Sequence, residues 1–176
     1  MSPRLYGVHT EVDPQHLPNP VLAFLKHYWD KKRASRAMPS RADINPSEMK
    51  EHLGWIVLLD VMPGQADFRF RTIGTRVTQY ILADATGKTV KEAFAVFGEA
   101  SISAALASLR KCARDRVVIR SYGDATGLGH EILDFDALYL PLSDDGVNVN
   151  MLLCAIVFEA PQSLKEPAKK PDQQAH

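Results

Sequence analysis

Cysteine is scarce in this chain, and the scarcity excludes a good deal. Two cysteines, Cys112 and Cys154, cannot build a disulfide framework, and neither has a Cys or His at metal-ligand spacing. Cys154 sits in the apolar run Met151–Phe158, where a thiol acts as a small buried hydrophobe. No apolar run reaches bilayer-spanning length, and the opening Met1-Ser2-Pro3-Arg4-Leu5-Tyr6 lacks the apolar core of a signal peptide. The expectation is a soluble, cytoplasmic protein with no membrane segment. Charge of one sign is missing too. With 21 basic and 21 acidic residues the net charge is zero, so the overall field draws neither nucleic acid nor an anionic surface.

What is present is a set of ordered elements. Residues 1–18 read as irregular. Asn19-Pro20 then supplies a cap and a proline suited to a first helical turn. Val21, Leu22, Phe24, Leu25, Tyr28 and Trp29 follow at three- and four-residue spacing, the stripe of an amphipathic helix. Lys31-Lys32-Arg33 suit its C-terminus, and Met38-Pro39 stops it. Asn45-Pro46-Ser47-Glu48 repeats the device, with Glu48 placed to reach back as in a capping box, and predicts a short helix ending at Gly54. Residues 55–61 read as a buried strand, and 68–73 alternate as a second one after a Pro63-Gly64 turn. Short helical pieces precede a longer helix over 99–114, marked by Ile102, Ala105, Leu106, Leu109 and Ala113. Strands follow at 117–122, 131–142 and 147–158, the last two joined by the turn signal Asp144-Asp145-Gly146. Past Pro161, Lys, Pro, Gln and Glu predict a disordered tail over 161–176, leaving 19–160 as one domain. An isolated hairpin is marginal, so the two strands and the three must share one sheet. The amphipathic helix then needs the other sheet face or a partner chain, which makes Val21, Phe24, Leu25, Tyr28 and Trp29 candidates for a docking or dimer interface.

Catalytic signatures are weak. Thr86-Gly87-Lys88-Thr89 has the end of a phosphate-binding loop, but Leu82 stands where that loop needs its first glycine. A turn with Gly87 at positive φ and Asp84 capping a short helix accounts for it. His130 has no second His four residues on, so no zinc-protease helix forms and no metal site is expected. Asp134 and Asp136 share a strand face, where solvent or an arginine is the ordinary neighbour. The basic residues Lys26 to Arg41 lack a recognition helix or stacking aromatics, so a solvated face explains them and nucleic acid is not expected as a partner.

Five segments in order carry a resemblance: Pro39–Pro46, Leu58–Val61, Phe70–Thr75, Asp84–Lys88 and Leu140–Gly146. Together they resemble a bacterial family of stand-alone PAS-like proteins over residues 20–158, although Ala83 stands where that pattern often has glycine. The resemblance implies an α+β fold: a five-stranded antiparallel sheet with helices on one face, plus the N-terminal helix. It also implies a small internal cavity and a regulatory role, without an attached output domain and without a reaction. The partners expected on this reading are a signalling protein, a small molecule, and a second copy in a homodimer.

Arg71, Thr75, Tyr80, Tyr122 and Tyr139 are the candidates for lining the cavity. If Arg71 points inward, its burial demands a carboxylate, carbonyl or ligand; otherwise it is an exposed arginine or part of an internal salt bridge. A competing reading makes the chain a small-molecule enzyme with Arg71, Asp134 and Asp136 around one pocket. Cofactor identity is open. Haem and flavin find no support, because the 99–114 helix has no axial His and no Asn-Cys-Arg-Phe-like motif is present.

Overall fold

The computed structural model describes residues 7–83 and 85–161. The expected tail beyond Pro161 and the capping role of Asp84 lie outside those residues, except for Pro161 itself.

Six strands form one antiparallel sheet in the order β1-β4-β5-β6-β2-β3. They are β1 (Val8–Val12), β2 (Ile56–Val61), β3 (Phe68–Ile73), β4 (Ile119–Asp124), β5 (Asp134–Leu142) and β6 (Met151–Glu159). The five-strand expectation is thus corrected by one. Val8–Val12, read from sequence as irregular, pairs with β4 from Val8↔Gly123 to Val12↔Ile119. The strand escaped the sequence reading because it buries almost nothing: its side chains alternate between exposed and half-buried. Backbone ladder bonds hold it. Gly123 permits the approach, since a Cβ there would lie 2.0 Å from the Gly7 carbonyl oxygen.

Helix α1 (Pro20–Arg33) starts where the caps place it, with the Asn19 side chain accepting from Val21 N and Leu22 N. It ends at Ala34, which takes a positive φ, rather than at Met38-Pro39. Its buried residues are Leu22, Leu25, Tyr28 and Trp29, with Val21 and Phe24 packed against the same core. That stripe is spent on this chain's own sheet, and the Trp29 indole donates to the Pro141 carbonyl of β5 at 2.9 Å. The predicted second helix is two short 3-10 turns, Pro46–Met49 and Leu53–Trp55. Asn45 does cap, but Glu48 does not reach back. Its carboxylate accepts the Tyr28 hydroxyl at 2.8 Å and pairs with Lys32 at 2.7 Å, tying this segment to α1 instead.

Helices α2 (Thr75–Thr78), α3 (Val90–Phe94) and α4 (Glu99–Asp115) follow β3. The Gly87 N–H donates to Phe70 O at 2.7 Å, and Thr89 and Glu92 form the capping box that opens α3. The Thr86–Thr89 segment is therefore a turn against β3. The β5–β6 connection is longer than predicted, running from Ser143 to Asn150, so β6 begins at Met151 and not at Val147.

Strand alternation sorts the core into two layers. Val57, Leu59, Phe68, Ile119, Ala137 and Ile156 face α4. Leu58, Leu138, Leu140, Leu153 and Ala155 face the opposite way, where α1 lies against β5 and β6. Helices consequently cover both faces, whereas the sequence reading put them on one and left α1 unplaced.

Candidate functional site

On the α4 side the packing leaves a pocket of about 300 Å³. Its helical wall is Ala100, Ser101, Ala104, Ala105 and Ser108, residues at one- and four-residue spacing on a single stripe of α4. Small side chains there cannot fill the space between helix and sheet. Ile81, Phe94, Leu128, Phe135, Ala137 and Ile156 supply an apolar lining, and Gly7 and Val8 of the β1 end stand at the mouth beside Ala100 and Ala104, which are exposed.

The polar groups of the pocket are few. Ser108 and Ser121, both buried, bond hydroxyl to hydroxyl at 3.0 Å. Beside Ser121 stands Tyr139, whose burial pushes the phenol well above its ordinary value and keeps it protonated. At the rim, Ser101 Oγ donates to Gly127 O at 2.6 Å and the Gly7 amide donates to Asp124; outside the lining, a His130 ring nitrogen donates to Tyr80 O at 2.8 Å. Cys112 and Cys154 are buried nearby, and burial raises both thiols, so they remain protonated.

The other side carries a depression between the Pro18–Pro20 segment, β4 and β5 that mixes apolar walls with ionised side chains. Arg120 forks onto Asp136 at 2.8 and 2.9 Å, reaches Glu11 at 3.2 Å, and lies 4.1 Å over the Tyr122 ring. Its side chain is only 10% exposed. Burial raises the Asp136 carboxyl above its ordinary value, with Arg120 opposing that shift. The Tyr122 hydroxyl donates to Glu11, and His9 stacks on the Tyr122 ring. Asn19 donates to Glu159 at the edge of the same depression. Arg120, Asp136, Glu11 and Tyr122 satisfy one another and tie β1, β4 and β5 together, while His9 Nε2 is buried beside them without a hydrogen-bond partner.

Of the five predicted lining residues, Tyr139 lies on the pocket. Arg71 does not: it is exposed on edge strand β3 and pairs with Asp60 at 2.9 Å. Alternation explains this, because Phe68 and Phe70 take the buried face and a register shift at Leu58/Leu59 leaves Arg71 outside. Thr75 is exposed at the start of α2. Tyr80 stacks on Phe158 and Trp55 in a ladder that Arg76 extends over Trp55. Tyr122 faces the α1 side. Arg71 also stands three strands away from β5, so it does not meet Asp134 and Asp136 around one pocket. Reading the sequence missed Ser108 and Ser121; the small-residue spacing of Ala100, Ala104 and Ser108 was the available signal.

The basic stretch is largely spent internally. Lys26 and Arg33 pair with Asp30, Lys32 with Glu48 and Arg36 with Asp43. Among the described residues no cluster of three His, Cys, Asp or Glu could hold a metal, and no helix is long and apolar enough to cross a membrane.

An antiparallel sheet with its long helix laid across one face, and a pocket between them, defines an α+β domain of the ligand-pocket type. The family model for the PAS domain matches residues 18–157, and the chain belongs to that family. Strand β1 lies outside the matched residues. Comparison with curated proteins gives no match. Among solved structures, an RNA-binding light-oxygen-voltage receptor aligns at 16% identity and a TM-score of 0.48, over 86% of this chain and 38% of the receptor. The chain thus corresponds to little more than a third of that protein.

Proposed function

We propose that the chain is a non-catalytic sensory and regulatory module that takes a small molecule into the pocket under α4 and acts through contact with a signalling protein, as a homodimer. The observation that carries this reading is the pocket itself: apolar walls, a small buried hydroxyl group and, among the described lining residues, a single carboxylate, Asp124, which is committed to backbone amides. The partly buried Arg120, Asp136 and Glu11 on the other face are paired with one another, which suits a scaffold better than a reaction centre.

Native mass spectrometry of the purified full chain, beside crosslinking capture with wild type and Ala105→Leu as baits, tests it. The expected result is a dimer carrying a retained small molecule, with a specific partner whose capture changes when the pocket is filled. A monomer without retained ligand, whose captured proteins are identical for both baits, would sink the proposal.

A further inference from the structure

Resting on the pocket reading above, we infer that the ligand is a small uncharged molecule, largely hydrocarbon, anchored by one hydroxyl or carbonyl group on Ser108, Ser121 and Tyr139. Among the described residues lining the pocket there is no Lys, Arg or His, so an anion would enter without a countercharge. The lining carboxylate, Asp124, stands at the mouth and accepts the amides of Gly7 and Thr126. It is committed to holding the rim, and the walls behind it would desolvate an ammonium without compensation.

The hydroxyls point to a single polar group on the ligand. Ser108, Ser121 and Tyr139 bring three hydroxyl hydrogens to the pocket, of which the Ser108–Ser121 bond uses one, so a donor and unused lone pairs are left beside the apolar space. A ligand carbonyl would accept that donor, and a ligand hydroxyl would also donate back. Size narrows the class further. A volume of about 300 Å³ holds about ten waters' worth of matter, hence a ligand of about ten non-hydrogen atoms. Nucleotides and phosphate-bearing cofactors fail on both counts.

Three probes of similar size separate the contributions: benzyl alcohol, ethylbenzene and benzoate, titrated by saturation-transfer NMR against the full chain. Benzyl alcohol should bind about tenfold more tightly than benzoate. Ser121→Ala should weaken benzyl alcohol about fivefold, the worth of one hydrogen bond, while ethylbenzene stays within about twofold. Ala105→Leu should abolish binding of both neutral probes; if its circular dichroism shows misfolding, Ala137→Val narrows the same space. Benzoate binding as well as benzyl alcohol, or Ser121→Ala weakening the two neutral probes equally, overturns the neutral, singly anchored class while the pocket reading stands. No binding by any probe, or binding untouched by both filling variants, removes the pocket reading and this inference with it.

Discussion

The two sides of the sheet solve the same covering problem differently. On one side α1 presents Leu22, Leu25, Tyr28 and Trp29, large residues that close against the strands and leave Leu22 and Leu25 fully buried. On the other side α4 presents Ala100, Ala104, Ala105 and Ser108 toward the sheet edge and leaves a pocket. The sheet is shared, so the difference lies in side-chain volume along one helical stripe. On α4 the large residues Ile102, Leu106 and Leu109 still seal against the core, and only the small residues beside them leave room at the sheet edge.

Substitutions can break or sharpen that contrast. The largest effect is expected from Leu25→Ala on α1, a loss of about 3 kcal/mol in urea unfolding, because a filled site cannot collapse around the missing atoms. Next comes Arg120→Met, at about 2 kcal/mol, since Asp136 loses the cation that compensates its burial. Adding Asp136→Asn to it should recover part of that loss, and a double variant no better than the single would contradict the pairing argument. Ala105→Leu on α4 should stay within about 1 kcal/mol of wild type in either direction, because its added volume enters existing space. A loss as large as that of Leu25→Ala would show that the two sides are packed alike.

The smallest effect concerns pH. Asp145 accepts the Asn148 and Val147 amides and the Ser143 hydroxyl, and these bonds hold its carboxyl well below the ordinary 3.8. A depressed folded value stabilises above the unfolded one, and that contribution is lost as pH falls through the folded value. Wild type should therefore exceed Asp145→Asn in urea midpoint at pH 7, with the gap narrowing below about pH 4. The β5–β6 connection serves both sides of the sheet, so the shift should be equal whichever side is probed.

The same contrast decides what the sequence made legible. The α1 side could be read because large apolar residues at helical spacing, a capping asparagine and a proline all leave positive marks. The β2–β3 pair and the three C-terminal strands were legible for the same reason. The pocket was not, because it is a deficit of volume, and Ala104 or Ser108 looks no different on a helix that simply faces water. Arg71 was misjudged as a lining candidate because its apolar neighbours do not say which way it points; register does, and register is a property of two strands. Strand β1 was missed since its Val-His-Thr-Glu-Val alternation buries no core residue and gains its order from β4.

One arrangement already described has a practical consequence. Of the two tryptophans in the chain, Trp29 is locked by its indole bond on the α1 side, and Trp55 sits half-buried in the Tyr80–Phe158 stack on the α4 side. Their emission therefore partitions by location. A Trp55→Phe protein fluoresces from one layer and a Trp29→Phe protein from the other, so loosening of either layer can be followed optically in solution without attaching a dye.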